Sequence, residues 1–244
     1  GIETITYVLK GTVDHGDSLG NQGTLSGGDV QWMTAGSGII HQEMPHGNAA
    51  GEMHGFQLWA NLPASQKMTT PRYQDIKSND ITELHDDDDS HIRVIAGNYR
   101  GYQGPVDGIA AEPQYLDITL PPNSFKVFPF DTRRQGFAYI FEGSASFSNA
   151  SSPFGVKVEK EFAGEEIEIR DMSGNRTLVL FGDGDEVAVT SGEQGVRFLL
   201  ISGAPLREPV AWHGPIVMNS QAELHQAMQE LNNGTFIKTG AAGW

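Results

Sequence analysis

The chain has 244 residues, enough for one large domain or two of ordinary size. Its formal net charge of −15 argues against direct binding to nucleic acid or to an anionic membrane surface, because both repel an acidic protein. The lack of cysteine excludes disulfides, thiolate metal ligands and a cysteine nucleophile, and it fits a cytoplasmic location. No run of about 18 apolar residues occurs, so we expect no membrane-spanning helix.

Short apolar or alternating segments, separated by turn residues, recur along the chain and predict an all-β architecture of the sandwich or barrel type. These segments are residues 2–9, 30–33, 55–60, 92–96, 115–120, 137–141, 177–181 and 198–201. Near the end of the chain, Ser220 and Glu223 have the spacing of a capping box, and Gly234 stands where a helix would stop. This pattern predicts a helix at about residues 220–232 that packs an apolar face on a barrel.

Two segments in different halves of the chain have similar sequences, which indicates an internal repeat. ITYVLKG at 5–11 matches FAYIFEG at 137–143, and a Gly-Asp turn follows each of them. Such turns are common, so these matches alone leave the repeat undecided. We expect an N-terminal β-domain at 1–110 and a C-terminal one at 111–244 that includes the helix, with the Gly- and Pro-rich segment 99–113 as a linker or extended loop.

The stretch GDVQWMTAGSGIIHQEMP, residues 28–45, carries the strongest candidate for chemistry. Gly36 and Gly38 allow a tight bend, after which His41 and Glu43 lie two residues apart on an extended segment. Side chains at this spacing point to the same face of a strand. An imidazole with a carboxylate suits iron, manganese, nickel or zinc. Two ligands bind weakly, so a working site needs others, and the alternative is an ordinary polar pair at a barrel mouth.

Other polar residues near this stretch are weaker candidates. His54 precedes the strand predicted at 55–60 and either lines the pocket or packs in a turn, and Gln57 is a further candidate for the pocket wall. We expect His15 and His46 to lie in surface loops. The run HDDDDSH at 85–91 contains possible cation ligands, but repulsion between adjacent aspartates favours a solvated loop over an ion site.

Three segments of the chain resemble the pirin family. They are the stretch at 28–45, GFQLWANLP at 55–63 and ISGAPLREPVAWHGPIVMN at 201–219. The resemblance implies two cupin-type β-barrels, a bicupin, with one metal ion in the N-terminal barrel held by three histidines and a glutamate. By resemblance His41 and Glu43 are two of these ligands. The other two belong to a His-Pro-His stretch that, in the family, immediately precedes the segment matching Gly1, where the present sequence begins.

The resemblance also implies a function and a cofactor. The implied cofactor is one divalent transition metal, most commonly iron, with manganese, nickel, zinc or copper as alternatives; without the His-Pro-His ligands it would bind poorly or not at all. The implied activity is that of a quercetin 2,3-dioxygenase, an oxidoreductase acting on a flavonol-like aromatic substrate, with Glu43 as the catalytic base. The alternative is a non-enzymatic, metal- or redox-sensing regulator that binds a protein partner.

A monomer is the implied assembly. The C-terminal barrel, which has no histidine between Glu112 and Leu206, is expected to lack a metal site.

Overall fold

The computed structural model describes residues 1–147, 152–154 and 172–238. Antiparallel β-strands dominate it. In the first part of the chain the strands are β1 (Ile2–Lys10), β2 (Thr12–Asp17), β3 (Gln22–Ser26), β4 (Val30–Thr34), β5 (His41–His46), β6 (His54–Asn61) and β7 (Arg72–Ile76). They are followed by β8 (Thr82–His85), β9 (His91–Ala96), β10 (Asn98–Tyr99), β11 (Tyr102–Gln103), β12 (Gln114–Leu120) and β13 (Phe125–Pro129). The remaining elements are β14 (Gln135–Phe147), β15 (Ser152–Phe154), β16 (Ser173–Gly174), β17 (Thr177–Leu180), β18 (Glu186–Gly203), β19 (Ala211–His213), β20 (Ile216–Met218) and the helix α1 (Gln221–Asn232), and short 3₁₀ turns occur at Ala64–Gln66 and Ser78–Asp80.

One compact unit contains the described residues of Gly1–Asp80, Gly108–Ala111 and Leu206–Trp244. Its strands form a four-stranded sheet in the order β6-β1-β4-β7 and a three-stranded sheet in the order β3-β2-β5. β1 is buried continuously from its start to Val8, and it pairs with β4 on one edge and with β6 on the other. Val8, Val13 and Leu25 form an apolar cluster that joins β1 to β2 and β3.

A second compact unit contains the described residues of Ile81–Asp107 and Glu112–Pro205. Its main sheet has the order β15-β17-β14-β18-β12-β9-β8, with β13 also paired to β18 and β16 to β14. Alternate residues of these strands enter one apolar core, as expected for strands with one buried face. Its fully buried members include Ile92, Val94, Leu116, Ile118, Phe128, Ala138, Ile140, Val179, Val189 and Phe198.

The C-terminal helix is confirmed, with both halves of its capping box. The Ser220 side chain accepts a hydrogen bond from the backbone of Glu223, and the Glu223 carboxylate accepts one from the backbone of Ser220. Leu224 and Ala227 are buried against Ala211 and against Ile216 and Met218 of β20. This packing places α1 in the first unit.

The predicted all-β class is confirmed, and every predicted strand overlaps an observed one. The compact units, however, follow boundaries other than the predicted division at 110/111. Residues 81–107 join the second unit because β8 and β9 extend the sheet that contains β12. The segment after Leu206 joins the first unit. In the part of the chain that the structure describes, no helix has the length and the apolar composition of a membrane span.

Candidate metal-binding pocket of the first unit

Strand β5 carries the His-x-Glu pair and is paired with β2. His41 lies opposite Asp17, and Glu43 lies opposite His15. Along β5, His41 and Glu43 are half-buried while the intervening Gln42 is exposed. The two side chains therefore share the less exposed face of the strand, as the spacing predicts.

Glu43 is fixed by a contact with the buried strand β1. The Thr6 hydroxyl donates a hydrogen bond of 2.7 Å to Glu43 Oε1. Thr6 lies between Gln31 of β4 and Gln57 of β6 in the sheet register, so these side chains face the same side. Thr6, Glu43 and Gln57 supply polar groups to a pocket of about 320 Å³. Its remaining lining is largely apolar and comprises Tyr7, Val8, Val13, Pro45, Met53, Gly55 and Phe56.

His15 is buried on the strand that pairs with β5, so its expected place in a surface loop is wrong. The residue lies in β2 and is 9% exposed. Its ring stacks on Tyr73 with centroids 6.3 Å apart, and Gln31 Nε2 lies 3.1 Å from its Nε2. In β3 the opposite residue is Gly23, where a Cβ would lie 2.7 Å from His15 Nε2. The missing side chain at position 23 thus makes room for the imidazole.

Three carboxylates lie near Tyr73, the residue that stacks on His15. Burial raises the pKa of the Tyr73 phenol, and the negative charges of Asp17, Asp75 and Glu43 raise it further. Burial alone would also raise the pKa of Asp17, but hydrogen bonds from the Asn21 side chain and from the backbone of Asn21 and Leu19 lower it overall. Asp17 is therefore ionised at neutral pH, and the local charge favours a cation.

The other histidines of this region differ in their surroundings. His54 begins β6 and packs its ring edge against Phe56 at 5.5 Å, and it is not among the residues that line the pocket. A role for His54 as a pocket residue stays a prediction. His46 is exposed, as expected, although it ends a strand and contacts Asp14 Oδ2 at 3.0 Å.

The acidic run after β8 is a solvated loop, as expected, because Asp87, Asp88 and Asp89 are exposed, and it is also a defined turn. The Asp86 backbone N–H donates to the Ser90 carbonyl, and the Ser90 backbone N–H donates to Asp88 Oδ1. The Lys126 ammonium lies 2.7 Å from Asp86 Oδ2 and 2.9 Å from Asp88 Oδ2. The positive charge of Lys126 therefore offsets the repulsion between Asp86 and Asp88. The local sequence pattern could not indicate this contact, because Lys126 lies on a different strand.

His41 and Glu43 have the donor chemistry of a transition-metal site but not the full number of ligands. An imidazole nitrogen and a carboxylate oxygen suit a borderline or hard divalent ion. Among the described residues, three His, Asp or Glu donors approach one another within 4.8 Å only at Glu83, His85 and His91. In the described part of the chain, no third His, Asp or Glu donor lies close enough to His41 and Glu43 to complete a site with them. A metal held by this pair therefore needs further ligands.

The described sheets are antiparallel, and the family model that matches the second half of the chain identifies this β-fold as a cupin. Residues 1–60 match the family model described as Pirin, and residues 115–237 match the model described as the pirin C-terminal cupin domain. The chain belongs to the pirin family.

Similar proteins agree with this assignment. Pirin-1 of Arabidopsis thaliana is 38% identical over 96% of this chain and 74% of its own length. The crystal structure of a quercetin 2,3-dioxygenase from Acinetobacter baumannii is 32% identical with a TM-score of 0.81, covering 97% of this chain and 76% of that one. A bacterial pirin from Escherichia coli, solved in complex with nickel(II), shares the fold at a TM-score of 0.59 and 18% identity, over 84% of this chain and 73% of that one.

Proposed function

We propose that this pirin-family protein is a metal-dependent dioxygenase of the quercetin 2,3-dioxygenase type, with His41 and Glu43 as metal ligands. The observation that carries the proposal is the half-buried pair on one face of β5, of which Glu43 lines a largely apolar pocket. The 32% identity to a solved quercetin 2,3-dioxygenase supports it. Iron is the metal expected first, with manganese, nickel, zinc or copper as alternatives.

The pocket has the composition that a flat aromatic substrate requires. A volume of about 320 Å³ is at the small end of the range for small-molecule sites. Phe56, Val8 and Val13 offer apolar contacts, and Gln57 offers an amide for orienting a hydroxyl or carbonyl group. The substrate class that fits these walls is a flavonol-like aromatic compound.

In this proposal Glu43 is the residue that moves a proton. Its Oε1 accepts the Thr6 hydrogen bond, so Oε2 is the oxygen available to a metal or to the proton of a substrate hydroxyl. A bound metal would supply Lewis-acid polarisation of the substrate oxygen and the redox chemistry of dioxygen. Thr6 positions the carboxylate, and the apolar walls limit the access of water.

Oxygen uptake with quercetin by the metal-loaded, full-length protein tests the proposal. We expect Glu43→Gln and His41→Ala each to reduce turnover at least about 100-fold, because each removes a ligand and Glu43→Gln also removes the base. Glu52→Gln and His46→Ala are matched controls, since both residues are exposed. Turnover retained in His41→Ala would refute the proposal. Binding of a protein partner by the metal-loaded protein, without oxygen uptake, would favour the regulatory alternative.

A further inference from the structure

A second cluster of metal-type donors lies in the other unit, on the hairpin of β8 and β9. His85 and His91 face each other in the strand register, and their rings stack with centroids 4.3 Å apart and 7° between the planes. Glu83 Oε2 lies 3.2 Å from His91 Nε2. The donor atoms of all three residues approach one another within 4.8 Å. Two imidazoles and a carboxylate thus have their donor atoms close together.

We propose that Glu83, His85 and His91 form a second metal site, which takes a borderline divalent ion such as Zn²⁺. Imidazole nitrogen and carboxylate oxygen are common zinc ligands, at about 2.0 to 2.2 Å from the metal. In a tetrahedral site that places ligand atoms about 3.4 Å apart. The Glu83–His91 spacing of 3.2 Å already matches this geometry. His85 is exposed, so its ring has room to turn out of the stack and direct a nitrogen lone pair to the same ion.

The surrounding sheet holds two of the donors in place. Arg93 lies opposite Glu83, is 6% exposed, and has its Nε 2.8 Å from Glu83 Oε1. This ion pair holds Oε1 of Glu83, while Oε2 faces His91. Hydrogen-bonding groups just outside a metal site commonly orient the ligands in this way. Leu84 and Ile92 enter the apolar core, so the donors on either side of them face away from that core.

The site is separate from the acidic turn that follows β8. Asp86 and Asp88 are engaged by the buried ammonium of Lys126, and Asp86 also pairs with Arg100. The aspartates therefore already have cations. The proposed ligand set consists of the two histidines and Glu83, with water at the remaining positions. The proposal does not depend on His41, Glu43 or the dioxygenase activity.

Calorimetric titration of the metal-free, full-length protein with Zn²⁺ alone tests the site. We expect His85→Gln and His91→Gln each to weaken one class of Zn²⁺ binding at least about tenfold, since a lost ligand costs no less than a lost outer contact. Glu83→Gln should weaken the same class. His225→Gln, at an exposed histidine on α1, is the matched control and should bind as the wild type does. Zn²⁺ should also raise Tm less in His85→Gln than in the wild type.

Equal Zn²⁺ affinity and stoichiometry in the wild type, His85→Gln and His91→Gln would overturn the proposal. The contact between Glu83 and His91 would then be an ordinary hydrogen bond. An equal loss in His225→Gln would also overturn it, because that result would mean non-specific binding to surface histidines. If His91→Gln fails to fold, the exposed His85→Gln carries the test. Loss of one class of Zn²⁺ binding in His41→Ala and of a different class in His85→Gln would support two separate sites.

Discussion

The position of His15 depends on the absence of a side chain at Gly23. A Cβ at position 23 would lie 2.7 Å from His15 Nε2, closer than atoms in proteins normally approach. Gly23→Ala should therefore displace the imidazole and lower the free energy of unfolding by about 1 to 3 kcal/mol, the usual cost of overpacking. Urea denaturation measures this change. Gly16→Ala is the matched control, because its Cβ would meet nothing closer than 3.8 Å.

A Gly23→Ala protein as stable as Gly16→Ala would show that the His15 ring can move without cost. The absence of a side chain at position 23 would then not be what fixes the His15 ring. The stacking on Tyr73 and the approach of Gln31 predict the opposite, because a shifted ring loses both contacts.

At the residue scale, the sequence predicts the His41–Glu43 face but not its neighbours. Period-two alternation is local information, and it is enough to place both side chains on one side of β5. His15 faces Glu43 through a pairing of strands 28 residues apart in sequence, which no local pattern reveals. The alternation of Val13, His15 and Asp17 was the available signal, but the glycines and aspartates around it are typical of a loop.

At the scale of elements, Lys126 on β13 stabilises the turn between β8 and β9. The Lys126 side chain is 7% exposed and contacts both Asp86 and Asp88. Its ammonium is the main cause that lowers the pKa of Asp88 to about 2. A carboxylate with a lowered pKa adds stability above its ordinary pKa of about 4, and that stability is lost as the pH falls towards 2.

Lys126→Met should lower the free energy of unfolding at pH 7 by an amount on the order of 1 kcal/mol, because solvent screens the half-exposed Asp88. The difference from the wild type should shrink as the pH falls from about 4 towards 2. Denaturant unfolding across this range measures it. Lys10→Met removes an exposed pair with Glu52 and should change stability little. Equal effects of the two substitutions at pH 7 would contradict the role given to Lys126.

Elements with strong alternation are predictable from sequence, and short or polar ones are not. The predicted strand at residues 2–9 and the capped helix match β1 and α1 closely. β2 and β3 form from polar, glycine-containing segments because each gains its backbone hydrogen bonds from a neighbouring strand. The membership of α1 in the first unit depends on packing against β19 and β20, which helical periodicity cannot indicate.

At the scale of the whole molecule, the two matching segments explain why the pocket lies in one unit. ITYVLKG lies in and just after β1 and FAYIFEG in β14, and both end in a glycine with positive φ, 82° at Gly11 and 69° at Gly143. Thr6, which anchors Glu43, corresponds to Ala138, which is fully buried in the apolar core of the second unit. At the position that matches Thr6, the polar side chain of the first unit is thus replaced by core packing in the second.

The most direct test of the central claim is an anomalous-scattering map from crystals of the full-length protein grown with iron, recorded at the metal absorption edge. We predict a peak about 2.0 to 2.2 Å from a His41 ring nitrogen and a Glu43 carboxylate oxygen. A map with metal bound elsewhere and none at this pair would contradict the claim. His41 and Glu43 would then be a polar pair at the pocket, and the dioxygenase proposal would lose its metal centre.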